Sequence, residues 1–146
     1  MRTRRSSVDR AQELFAVLKN FRWAVIWAFC ILVLCLIPGS TLPDWEWFSL
    51  LDLDKLVHAG MFAALAILLA DALRKRDALS RYVLMACVLS IAYGAATEFM
   101  QGMEALGRRT DPGDLVANGI GALIGAGYVR WRQSRGKAIV PLTFLR

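Results

Sequence analysis

Cysteine, histidine and proline are scarce in this chain of 146 residues, with three, one and four copies. The cysteines, Cys30, Cys35 and Cys87, stand in apolar stretches without redox or metal-ligand spacing. They read as small buried hydrophobes, and a disulfide scaffold is excluded. A lone histidine, His58, leaves a zinc centre short of its usual ligands, so neither a metal nor a cofactor is expected. The chain also lacks a dinucleotide fingerprint, a P-loop and a G-x-S-x-G turn, and it has no internal repeat. The common signatures of nucleotide-dependent enzymes and serine hydrolases are therefore missing.

Apolar residues are what the chain has in excess. They make up 57% of it, and the mean hydropathy is +0.44. A bilayer core about 30 Å thick needs roughly 17 to 25 apolar helical residues per crossing. Four windows of that kind occur, at 21–37, 56–73, 82–101 and 115–131. The fold class expected is an all-α integral membrane protein with four transmembrane helices.

The net charge of +6 is confined to particular places. All but Lys55, Arg108 and Arg109 of the 18 basic residues flank the windows on one side: before and just inside the first, between the second and third, and after the fourth. The other side carries Asp44, Glu46, Asp52, Asp54, Glu98, Glu104, Asp111 and Asp114. An excess of Lys and Arg marks the cytoplasmic face, so both termini are expected inside. The same distribution explains the basic pI without nucleic acid as a partner.

"PGSTLP" after the first window offers no small-residue cleavage site, so that window is expected to be kept as a span. Residues 1–20 form a basic segment whose apolar positions, from Val8 to Phe21, recur at helical spacing. That pattern suits an interfacial helix on the inner leaflet, or a plain extension of the first span. Residues 21–131 form the four-helix domain, and 132–146 a cytoplasmic tail. Trp23, Trp27 and Trp131 at the inner ends and Trp45 and Trp47 outside suggest two aromatic belts. Ala117, Gly121 and Gly125 make a small-residue stripe, the pattern of close helix packing.

The remaining polar residues gather at one depth. "LDKLVH" opens the second window, "TEFMQ" closes the third and "DPGDLVAN" opens the fourth. Asp54 and His58, Glu98 and Gln101, and Asp114 and Asn118 are three or four apart, so each pair shares a helix face. Three helix ends can thus bring these groups together at the outer boundary of the bilayer.

The ordered motifs "DKLVH" (Asp54, Lys55, His58), "YGAATEFMQ" (Tyr93, Gly94, Glu98, Gln101) and "RRTDPGDLVANGIGALIG" (Arg108, Asp111, Asp114, Asn118, Gly121, Gly125) resemble the VanZ-like family of small polytopic bacterial membrane proteins. The resemblance spans about residues 50–128. It implies a multi-pass protein of the bacterial inner membrane with a polar site, and a link to the cell envelope. The founding member is associated with resistance to teicoplanin, a lipoglycopeptide.

Beside a proton-relaying transporter using Glu98 and His58, ranked low because four short spans rarely enclose a path, three function classes fit these residues. In a binding protein, Arg108 and Lys55 would contact the phosphate or carboxylate of a lipid-linked or anionic envelope molecule, or of a lipoglycopeptide. Asp54, His58, Glu98, Gln101, Asp111, Asp114 and Asn118 would complete the site. In a hydrolase or transferase acting on a lipid-linked substrate, His58 would be the base and Glu98 the acid, with Asp114 as a further candidate. No dedicated catalytic motif supports that class, and the reading leans away from an enzyme. In a purely structural partner protein, the charges would only staple helix ends together. Membrane lipids are the expected surroundings, and a homo-oligomer is compatible with all three classes.

Overall fold

The computed structural model describes residues 7–37, 53–74, 78–102 and 111–140. The segment with Trp45 and Trp47, the pair Arg108 and Arg109, and the last six residues lie outside the described residues. Among the described residues the fold is all-helical: α1 (Ser7–Cys35), α2 (Leu53–Leu73), α3 (Leu79–Gln101) and α4 (Pro112–Ser134). Each of the four apolar windows falls on one of these helices. In α1 a single unbroken helix joins the amphipathic start to the apolar stretch.

Local chemistry sets the helix starts and the closest packing. Asp111 caps α4, its side chain accepting from the Gly113 N–H at 2.7 Å, and Pro112 occupies the first turn, where its missing N–H costs nothing. α2 and α4 make the tightest pair. A Cβ added at Gly121 would land on the Ala59 carbonyl, and one at Gly125 would lie 2.5 Å from the Ala63 oxygen. The expected small-residue stripe is therefore the contact line between these two helices. α3 packs on both, and α1 leans on α2 and touches α3.

Three side-chain donors tie α1 to the others through main-chain oxygens. Trp27 Nε1 donates to the Met61 carbonyl at 2.9 Å, Tyr93 Oη to that of Ala28 at 2.7 Å, and Gln101 Nε2 to that of Cys35 at 3.0 Å. Trp27, expected in an aromatic belt, is half-buried and bonded across a helix pair instead. Cys30 departs from expectation too. It is exposed on the outer side of α1, because α1 meets neighbours along one face only, whereas Cys35 and Cys87 are buried.

After α4 the chain does not trail away. Gly136, at φ 64°, turns it back, Arg132 Nε donates to the Ala138 carbonyl at 2.9 Å, and Ile139 is fully buried. Ile139 packs with Leu73, Tyr82, Val83 and Val129, closing the end of the bundle opposite the polar seam.

The distribution of polarity is inverted relative to a water-soluble bundle. Phe99 is 76% exposed, while its neighbour Glu98 is 6% exposed. Val25, Phe29, Leu84, Val88, Leu123 and Ile124 cover the outside, and Ser90, Thr97, Gln101 and Asn118 are inside. Such an exterior is unfavourable in water and natural in lipid. α2 and α3 are each long and apolar enough to cross a membrane.

Candidate functional site: a buried polar seam

The seam is built where the N-terminus of α2, the C-terminus of α3 and the N-terminus of α4 meet. Its first half is centred on Asp111. The Asp111 backbone N–H donates to Glu98 Oε1 at 2.6 Å, which fixes the start of α4 against the end of α3. Asp111 Oδ2 lies 3.7 Å from Lys55 Nζ, which is 3.8 Å from Asp54 Oδ2. These lysine contacts are substantially exposed and too long for hydrogen bonds, so they add little to stability.

The second half is centred on His58, which is buried. Its Nδ1 is 3.0 Å from Asn118 Oδ1, and its Nε2 is 3.7 Å from Asp114 Oδ2. The latter contact becomes an ion pair when the ring carries its second proton. Asn118 and Asp114, four apart on α4, therefore grip the two sides of one imidazole on α2. Gly94 makes the room: a Cβ there would be 3.0 Å from that of Asn118 and 3.1 Å from the Phe62 ring.

Several polar atoms in this seam have no partner. Glu98 Oε2, Asp114 Oδ1 and Asn118 Nδ2 are buried and make no hydrogen bond. Buried polar groups are nearly always paired, and each unmet one costs about 1 to 3 kcal/mol. The other polar atom is hydrogen-bonded to the scaffold in Glu98 and Asn118, and in Asp114 it stands 3.7 Å from His58 Nε2. Glu98 and Asn118 are thus fixed while half of their bonding capacity stays unused.

Of the residues singled out by sequence, Asp54, Lys55, His58, Glu98, Asp111, Asp114 and Asn118 meet in this seam. Gln101 is buried one turn beyond Glu98, and its amide nitrogen is spent on the Cys35 carbonyl. Arg108 lies outside the described residues. Lys55 contacts Asp54 and Asp111, and the Asp111 backbone in turn bonds to Glu98. Among the described residues no three His, Cys, Asp or Glu side chains are placed to hold a metal ion.

Sequence reasoning overlooked Ser90 and gave Tyr93 no structural task. Ser90 Oγ donates to the Phe62 carbonyl at 3.1 Å, and Tyr93 bonds to α1. A usable signal existed. Ser90, Gly94, Thr97 and Gln101 recur at three- and four-residue spacing, which marks one polar face of α3.

No curated protein and no solved structure compared with the chain matches it. A family model does, over residues 8–133, a stretch that runs from the start of α1 to the end of α4. By that match, and in keeping with the motifs at the seam, the chain belongs to the VanZ/LLP1 family.

Proposed function

We propose that this membrane protein binds the polar headgroup of a lipid-linked cell-envelope molecule in the seam between α2, α3 and α4. In this reading all four helices cross the bacterial cytoplasmic membrane, both termini are cytoplasmic, and the seam faces outward. The observation that carries it is a pair of carboxylates, the buried Glu98 and the partly buried Asp114, each with one buried oxygen left unbonded inside a body whose exterior is apolar. A staple between helix ends would use those atoms on other helices. A bound headgroup would supply the missing donors. Any effect on teicoplanin sensitivity would follow from contact with such an envelope molecule.

The hydrolase or transferase reading is weaker on the same geometry. A general base needs a ring nitrogen free to face substrate. In His58 one nitrogen is bonded to Asn118 and the other faces Asp114.

Native mass spectrometry of the protein released from its own membrane tests the binding reading. The wild type is expected to retain a lipid adduct that Glu98→Gln with Asp114→Asn loses at unchanged thermal stability. An adduct equally retained by the double variant would remove the seam as the site.

The topology has its own test. In a background without Cys30, Cys35 and Cys87, Ser40→Cys should react with an impermeant thiol reagent added to intact cells and Ser134→Cys should not. The reverse pattern would put the seam on the cytoplasmic side.

A further inference from the structure

We infer that the group held between Glu98 and Asp114 is a primary ammonium carried by a membrane lipid. This rests on the headgroup-binding reading and adds the chemistry of the headgroup. Both unbonded oxygens are acceptors, so the ligand must donate. Glu98 cannot swing to find another donor without giving up its bond from the Asp111 N–H, and Asp114 would leave its place 3.7 Å from His58 Nε2.

Charge narrows the choice further. Among the described residues the seam holds four carboxylates, those of Asp54, Glu98, Asp111 and Asp114, against Lys55 and His58. Lys55 stands by Asp54 and Asp111, and His58 by Asp114. Among the described residues Glu98, the most buried of the four, makes its one hydrogen bond to a backbone N–H and is in no direct ion pair, His58 being the cation that acts on it. A buried carboxylate without a directly bonded counter-charge is costly, and a cation with N–H groups supplies both charge and donors. A phosphate would add negative charge beside these oxygens. A hydroxyl would donate without neutralising. A trimethylammonium would neutralise without donating.

The source is a lipid, since an apolar groove of about 230 Å³ opens between α1, α2 and α3, lined by Phe21, Val25, Leu65, Leu69 and Tyr93 among others. Tyr93 adjoins Gly94, which packs on Asn118, so one turn of α3 serves both groove and seam. The groove takes an acyl chain while the seam takes the amine.

The test compares phosphatidylethanolamine, phosphatidylcholine and phosphatidylglycerol of identical acyl chains, titrated into delipidated protein and read by native mass spectrometry. Phosphatidylethanolamine should bind about ten-fold or more tighter than the other two, the effect of losing one charge-assisted hydrogen bond. Glu98→Gln should remove that preference and leave the other two lipids unchanged.

Equal binding of phosphatidylcholine, or a preference for phosphatidylglycerol that Glu98→Gln alters, would overturn the ammonium and leave headgroup binding standing. Absence of any headgroup preference in both wild type and variant would overturn both. Soluble glycerophosphoethanolamine binding as tightly as the lipid would overturn the membrane source.

Discussion

Gly121→Ala is expected to destabilise the protein by about 3 kcal/mol, an unusually large effect for one methyl group. The added carbon would sit on the Ala59 carbonyl, which is backbone and cannot rotate aside. α2 and α4 would have to separate, and dispersion contacts along the whole stripe would weaken with them, when such contacts are what hold membrane helices together. Asn118, one turn away on the same face, would be drawn from His58. The chain carries its own controls. A Cβ at Gly119 or Gly127, on the same helix, meets nothing, so alanine there should leave stability unchanged or raise it by up to about 1 kcal/mol. Unfolding in detergent, followed by helical signal, compares the three. Equal behaviour of Gly121→Ala and Gly127→Ala would mean that α2 and α4 do not approach as described.

His58→Leu should cost about 2 to 4 kcal/mol, less for the lost bond than for what it strands. Asn118 would then have no partner at either amide atom, and Asp114 none at either oxygen. Asn118→Leu alone strands the imidazole Nδ1. Combining the two removes both ends of one buried hydrogen bond. The double variant should therefore be more stable than the sum of the single losses by about 1 kcal/mol or more. Strict additivity in the same unfolding assay would show that the two side chains do not depend on each other.

The helices were legible because a long apolar run announces itself by length and content, and α2, α3 and α4 lie where those windows fall, α2 and α3 being long and apolar enough to cross a membrane. The seam was legible for a related reason. Once the windows are oriented, "LDKLVH", "TEFMQ" and "DPGDLVAN" must end at one level, and spacing within each assigns a face. Partner choice was not legible. Spacing says that Asp54 and His58 share a side of α2, but which helix comes nearest depends on glycines that let backbones touch. That is why His58 pairs with Asp114 and Asn118 on α4. Ile139 was hidden for a different reason: "RQSRGKAIVPL" has no period, and only a turn at Gly136 carries the isoleucine back into the core.

The bonds that fasten α1 have an uneven consequence for the two sides they join. Tyr93 and Gln101 must be present to donate, but Ala28 and Cys35 contribute only carbonyl oxygens, which every amino acid possesses. At those two contacts α1 is recognised by its main chain. Its residues there answer to size and apolarity alone, so many different sequences could occupy the same berth. The motifs that mark the family in this chain begin at Asp54 and leave α1 without one. At Trp27 the direction reverses, since there α1 supplies the side chain and α2 the carbonyl, and that letter of α1 alone among the three bonds is read.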